Sequence, residues 1–295
     1  MAEETGPFAG TETSSATPVK RNEKEGGGKK ELDEDEEEEE EEGEDEGGFG
    51  LDFVFQDWLD PQTFTNHRAN NFDLLGVQVQ QGAFCHTKDN DQTGAVVWDD
   101  AVMLARHLVA RFPASLRGKT VIDLGAGTGF LGLAVAHGCS ADVIITDREV
   151  MRALIEQNVE VNKACIAAQG GSACFVPHSW GDPLKAGIAE HAPFDIVLAS
   201  GCIYHEEANP ALLKSLRALA GATGDIYVAI DFRFDVTKQD KDDPYAAPVV
   251  ASFLSQAKSA GLELRELPAD ESDQGLALAR EHVKKSVRIF RGCFL

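Results

Sequence analysis

The sequence predicts an α/β protein: an open, doubly wound sheet, mostly parallel, with antiparallel pairing at its C-terminal end. Three observations carry that prediction. Short continuous apolar runs such as Val121-Ile122, Val143-Ile144-Ile145 and Ile196-Val197-Leu198 read as strands covered on both faces. Between them lie segments whose apolar residues recur at helical spacing, so strand and helix alternate. The alternation ends before the last two strands, which are joined without a helix and are expected to pair antiparallel.

Taken in order, Leu51–Gln56 and Phe72–Gln80 alternate like short strands. Trp98, Val102, Ala105, Leu108 and Val109 then recur as one helix face, which ends before Pro113. Strands follow at Thr120–Leu124, Val143–Asp147, Ala173–Pro177, Phe194–Ser200 and Asp225–Phe232. Helices are expected at about Gly129–His137, Glu149–Lys163, Pro210–Ala220 and Pro248–Ala260. Leu262–Leu267 and Ser286–Phe294 close the chain as strands, and no internal repeat is present.

The charge is unevenly placed. The 295 residues carry a net −23, of which residues 1–50, with 19 acids and 5 bases, hold −14. That segment has too little apolar surface to offset the entropy of ordering, and its like charges repel, so residues 1–50 are expected to be a disordered acidic tail. It serves either as a solubilising extension or as a lure for a basic partner. Residues 51–295 form the globular domain, with no basic stripe to displace counterions from phosphates and nothing to draw it to an anionic membrane. No run of 18 apolar residues occurs, the N-terminus lacks a signal-like pattern, and six cysteines fall without a C-x-x-C pair. Reduced thiols, no metal site and a cytoplasmic or nuclear location are therefore expected.

The most informative segment is Val121-Ile-Asp-Leu-Gly-Ala-Gly-Thr-Gly-Phe-Leu-Gly132, a buried strand running through a glycine-rich turn into a helix. Gly125 and Gly127 allow a tight turn and close approach to a ligand. Asp147, twenty residues beyond Gly127 at the end of the second strand, is placed to accept hydrogen bonds from ribose hydroxyls. The dinucleotide pattern needs glycine where Phe130 stands, and the phosphate-loop pattern is absent. Asp123, an acid beside the loop, is a poor neighbour for pyrophosphate but suits a cationic ligand such as a sulfonium nucleoside.

With those residues the chain resembles the class I, seven-strand, Rossmann-like S-adenosylmethionine-dependent methyltransferases, over roughly residues 51–295. It is more closely similar to methyltransferase family 16, which includes protein lysine methyltransferases acting on chaperones, AAA ATPases and elongation factors. Four motifs carry the resemblance: Gly94-Ala-Val-Val-Trp98, Val121–Gly129, Ile145-Thr-Asp-Arg-Glu149 and Ser179-Trp-Gly-Asp182. It implies S-adenosyl-L-methionine as cofactor, held by Trp98, Asp123, Gly125, Ala126, Gly127, Asp147, Trp180 and Ser200. Trp98 and Trp180 by themselves read equally as core aromatics, and Trp58 reads as packing.

The resemblance places the chemistry at Leu198-Ala-Ser-Gly-Cys-Ile-Tyr-His-Glu-Glu207, at the tip of the fourth strand. The family carries Asp-x-x-Tyr here; Tyr204 matches, and is the expected catalytic-site residue, whereas Gly201 stands where the family has Asp. Glu206 and Glu207 either serve the incoming amine or form an acidic pair at a helix start, and His205 reads as a surface residue. Asp231 and Arg233 are expected at the substrate entrance, with Lys238–Asp243 as a recognition loop or a plain turn. The function implied is methylation of a lysine on a protein substrate, one of basic character if the tail is a lure. The alternatives are a small-molecule amine as acceptor, or a silent cofactor-binding module. A monomer is expected.

Overall fold

The computed structural model describes residues 71–82, 86–87, 90–91, 93–232, 248–268 and 287–295. The readings for residues 1–50, Leu51–Gln56, Trp58, Arg233 and Lys238–Asp243 lie outside them.

A hairpin comes first, β1 (Asn71–Leu74) paired antiparallel with β2 (Val77–Gln80). It is followed by a two-residue ladder, β3 (His86–Thr87) with β4 (Asn90–Asp91), and then by helix α1 (Asp99–Arg111). Pro113 does more than stop that helix: it opens a further short one, α2 (Pro113–Leu116), where its fixed φ and missing N–H are tolerated.

The sheet then begins with β5 (Thr120–Leu124), α3 (Phe130–Cys139) and β6 (Asp142–Thr146). A 3₁₀ turn over Glu149–Met151 delays the next helix, α4 (Arg152–Gln169), which leads into β7 (Ser172–Phe175). After the short α5 (Ala186–Ala189), which four residues of pattern did not announce, come β8 (Ile196–Ser200), α6 (Asn209–Ala220) and β9 (Asp225–Asp231). Helix α7 (Pro248–Ser259), β10 (Leu262–Glu266) and β11 (Val287–Phe294) complete the described chain.

Seven strands form one sheet in the order β10-β11-β9-β8-β5-β6-β7. The pairs from β9 to β7 are parallel, and β11 runs antiparallel to both β9 and β10. Successive residues of a strand face opposite ways. Val121, Val143, Ile145 and Leu198 accordingly pack against α1, α3 and α4, with Leu104, Leu108, Leu133 and Ile155. Ile122, Leu124, Ile144 and Val197 pack on the other face against α6 and α7, with Leu212, Leu216 and Phe253. Each such side chain contributes about 1.5–3 kcal/mol on burial.

The chain leaves β5 toward β6 and β7 on one side, and returns to lay β8 and β9 on the other. The strand order therefore reverses between β5 and β8. In open sheets of this kind the crevice at the carboxyl ends, beside the reversal, is where a ligand is received.

Candidate functional site

A cavity of about 410 Å³ occupies that crevice, within the range of small-molecule and cofactor sites. All nine residues singled out in the sequence line it: Trp98, Asp123, Gly125, Ala126, Gly127, Asp147, Trp180, Ser200 and Tyr204. β5, β8 and β9 contribute strand residues to it, and the segments just after β6 and β7 contribute Asp147 and His178–Trp180.

The loop after β5 is shaped by its contacts. Gly125 (φ +74°) and Gly127 (φ +58°) are left-handed, a conformation that penalises a Cβ. A Cβ on Gly125 would stand 2.9 Å from the Trp180 ring, and one on Gly127 would stand 2.7 Å from the Gly94 carbonyl oxygen. The glycine of the Gly94–Trp98 motif thus lies backbone to backbone against the glycine loop. The Trp98 indole N–H donates to Thr93 O at 2.9 Å, fixing the ring at the same rim.

The amides of this loop are already engaged. Gly125 N–H and Ala126 N–H both donate to Thr146 O, at 3.0 and 2.9 Å. Gly127 N–H donates to Asp147 Oδ2 at 2.8 Å. A pyrophosphate cradle requires such amides to point at the ligand; here three consecutive ones hold the loop to β6 and its end. Asp147 Oδ1 also accepts from Arg148 N–H, at 2.7 Å. A carboxylate has about four acceptor positions, so the ribose role leaves this acid a second task, tying the loop down.

Asp123 sits deeper than the sequence reading placed it. It is 1% exposed, and its Oδ2 accepts from Gly132 N–H in the first turn of α3 at 2.8 Å. Burial pushes its carboxyl up to about 7, opposed by that hydrogen bond and reinforced by the nearby charge of Asp147. It is a buried brace under the loop as well as part of the cavity wall.

At the β8 tip, Ser200 Oγ is buried and has no hydrogen-bond partner among the described residues. The Tyr204 ring lies 4.6 Å from that of His205, centroid to centroid. His205, read as a surface residue, is instead half-buried and lines the cavity. Glu206 and Glu207 do not line it: they open a 3₁₀ turn ahead of α6, and Glu206 accepts from Ser252 Oγ at 2.7 Å. The structure therefore corrects the acceptor-serving alternative for this pair in favour of the helix-start one. Asp231, at the end of β9, lies in the cavity wall.

Three contributors escaped the sequence reading. Asp100 follows Trp98 by two residues and is 2% exposed; by position it resembled any acid in a first helical turn. Cys202 Sγ lies 3.2 Å from Leu124 O. Its thiol is held well above its ordinary pKa, chiefly by burial and then by Asp100, Asp123 and Asp147, so it is no nucleophile. His178 faces Ser215 Oγ through Nε2 at 3.1 Å, and that oxygen accepts from Gly181 N–H at 2.9 Å. Burial lowers the pKa of His178. Its Nδ1 is buried with no hydrogen-bond partner among the described residues.

Among the described residues, four aspartates (Asp100, Asp123, Asp147, Asp231) line the cavity against one guanidinium, that of Arg148, with Asp123 half-protonated near pH 7. The sign suits a cation.

Comparison with known proteins agrees with this geometry. A family model described as lysine methyltransferase matches residues 82–245. EEF1A lysine methyltransferase 3 of Mus musculus is 39% identical over 143 residues, 47% of this chain and 56% of that protein. Protein N-lysine methyltransferase METTL21A of Danio rerio is 36% identical over 163 residues, 55% and 69% of the two chains. Protein-lysine N-methyltransferase EFM6 of Saccharomyces cerevisiae is 28% identical over 192 residues, 58% and 73% respectively. The chain thus spans little more than half the length of the first of these relatives and about seven-tenths of the other two.

Proposed function

The chain belongs to the lysine methyltransferase family, and from that membership we propose that it transfers the methyl group of S-adenosyl-L-methionine to the side-chain amine of a lysine in another protein. One observation supports the donor above the rest. The loop amides that would hold a pyrophosphate are bonded within the protein, while aspartates outnumber basic side chains among the charged residues that line the largely apolar cavity. A site built this way favours a cationic nucleoside over an anionic dinucleotide.

When bound, the donor supplies a sulfonium-activated methyl group, and the remaining work belongs to the chain. Asp147, at the end of β6, takes the ribose hydroxyls. Trp98 and Trp180 flank the nucleoside, and Gly125, Ala126 and Gly127 let it approach the backbone. Asp123 keeps the loop and α3 in register beneath it. Ser200 Oγ offers a hydrogen bond toward the amino-acid end, and the Tyr204 ring forms a wall of the lysine channel, where its face is attractive to a cation. Alignment of amine and methyl is the main catalytic contribution of such a site.

The chain is further proposed to act as a monomer in cytoplasm or nucleus, without nucleic-acid or membrane partners. Its acidity and its unpaired cysteine pattern support that reading. Residues 1–50 are proposed as an acidic tail whose charge favours a basic protein substrate.

The test is incubation of the full chain with methyl-labelled donor and a cell lysate, with purified EEF1A as the first single substrate because one relative bears its name. Label on lysine in a protein band is the expected result. Label confined to small molecules replaces the acceptor; donor binding without transfer removes the activity.

A further inference from the structure

Gly201 is exposed at the β8 tip with φ +64°. A Cβ built there would meet Asp100 and nothing closer: Oδ2 at 3.1 Å, Oδ1 at 3.5 Å and Cγ at 3.7 Å. The carboxylate of Asp100, arriving from the first turn of α1, occupies the space into which a side chain on residue 201 would extend. It is 2% exposed, lines the cavity, and is held in place through Oδ1, which accepts from Ala101 N–H at 2.8 Å. Glycine at 201 and aspartate at 100 are therefore one arrangement. The small residue makes room, and the acid delivers to the strand tip the charge that the tip itself lacks.

We propose that Asp100 is the carboxylate that receives the acceptor lysine and holds the positive charge that develops on its nitrogen. The inference rests on the lysine methyltransferase reading above. The lysine first gives a proton to water. Its nitrogen lone pair then forms the N–C bond as the C–S bond breaks, and that electron pair leaves with sulfur. Positive charge passes from sulfur to nitrogen, so an anion on the nitrogen side stabilises the product-like charge more than the initial one. The acceptor nitrogen enters beside Asp100, which lies against Gly201 at the β8 tip, whereas Asp147 follows the end of β6 and anchors the loop after β5.

The experiment is a charge relocation. Asp100→Asn keeps the oxygen that accepts from Ala101 N–H and removes the charge. It is expected to melt within a few degrees of wild type and bind S-adenosyl-L-methionine, measured calorimetrically, within threefold. Its labelling rate on the wild type's protein substrate is expected to fall at least fiftyfold. Gly201→Asp alone sets two carboxylates together and is expected to be slower than wild type. Asp100→Ala combined with Gly201→Asp restores one carboxylate at one place, in a left-handed conformation that aspartate tolerates, and is expected to recover at least tenfold over Asp100→Ala.

Three outcomes overturn the assignment: a folded Asp100→Asn variant at wild-type rate, a double variant no better than Asp100→Ala, or loss of donor binding beyond tenfold in Asp100→Asn. If wild type labels no protein, the function reading fails and takes this inference with it; if wild type labels and the variants behave as it does, this inference fails alone.

Discussion

Gly127 concentrates several constraints in one residue. Its backbone is left-handed, its missing side chain admits the Gly94 carbonyl, and its amide anchors on Asp147. Gly127→Ala is expected to lose about 1–2 kcal/mol to backbone strain alone, and more because the facing atom is backbone and cannot rotate aside. Donor affinity and melting temperature should fall together; an alanine variant with wild-type calorimetric affinity would show the Gly94 contact to be dispensable. Asp123 makes a different demand. An unfolded aspartate titrates near 3.9, and burial in the fold pushes this one up to about 7. Between those values the native state keeps a proton that the unfolded chain has released, so stability falls as pH rises from about 4 and the loss levels off above about 7. Three units correspond to at most about 4 kcal/mol. Asp123→Asn keeps an acceptor for Gly132 N–H and loses the titration, so its advantage in melting temperature over wild type should widen from pH 5 to pH 8. A constant gap across that range would place the charge cost elsewhere.

At the scale of elements, helix α4 carries two asparagines in the stripe that faces the core: Ile155, Asn158, Asn162 and Ile166 are its buried residues. Asn162 accepts from Gln78 N–H at 2.9 Å and donates to Gln78 O. Asn158 accepts from Gln80 N–H and donates to Gln80 O, at 2.7 and 3.0 Å, and donates also to Thr128 O at 2.9 Å. One turn of helix matches two residues of strand, so the side-chain amides serve β2 as a neighbouring strand would. Asn158→Ala is expected to cost about 1–3 kcal/mol, since the part-buried Gln80 backbone groups and the buried Thr128 carbonyl lose their partner, and to weaken donor binding because Thr128 belongs to the loop. Asn162→Ala should destabilise comparably and leave donor affinity within twofold. Equal effects on affinity would separate the hairpin from the site.

This division also marks what the sequence could reveal. Strands β5, β6, β8 and β9 were legible within two residues, because burial on both faces leaves an unbroken apolar run. The glycine loop and Asp147 were legible because backbone geometry demands those residue types at fixed spacing. Asn158, Asn162, Asp100 and His178 were not, since their partners lie on other elements and no local pattern encodes a distant contact. An asparagine interrupting an apolar stripe was the one available sign.

For the whole molecule, the order of the sheet makes the last strand a closing element. β11 lies between β9 and β10, pairing Val287–Gly292 with Ile226–Asp231 on one side and Phe290–Phe294 with Leu262–Glu266 on the other. The strand Val287–Phe294 thus completes a sheet whose site is lined by residues 93–231, 56 to 194 residues earlier. Its pairing with β9 spans 56 to 66 residues, a separation that is paid for in loop closure before it is rewarded in contacts. Removing residues 287–295 would unpair β10 and leave β9, with Tyr227 and Ile230 in its core faces, as an open edge. Exposed edges of that kind template association. The truncated chain is therefore expected to elute as aggregate in size-exclusion chromatography and to lose its cooperative melting transition. Donor added in excess should not rescue it, because the cavity draws its wall from β9 through Asp231 as well as from the strands before it. A truncated chain that stays monodisperse, melts cooperatively and binds the donor would show that β5 to β9 fold without their C-terminal partner.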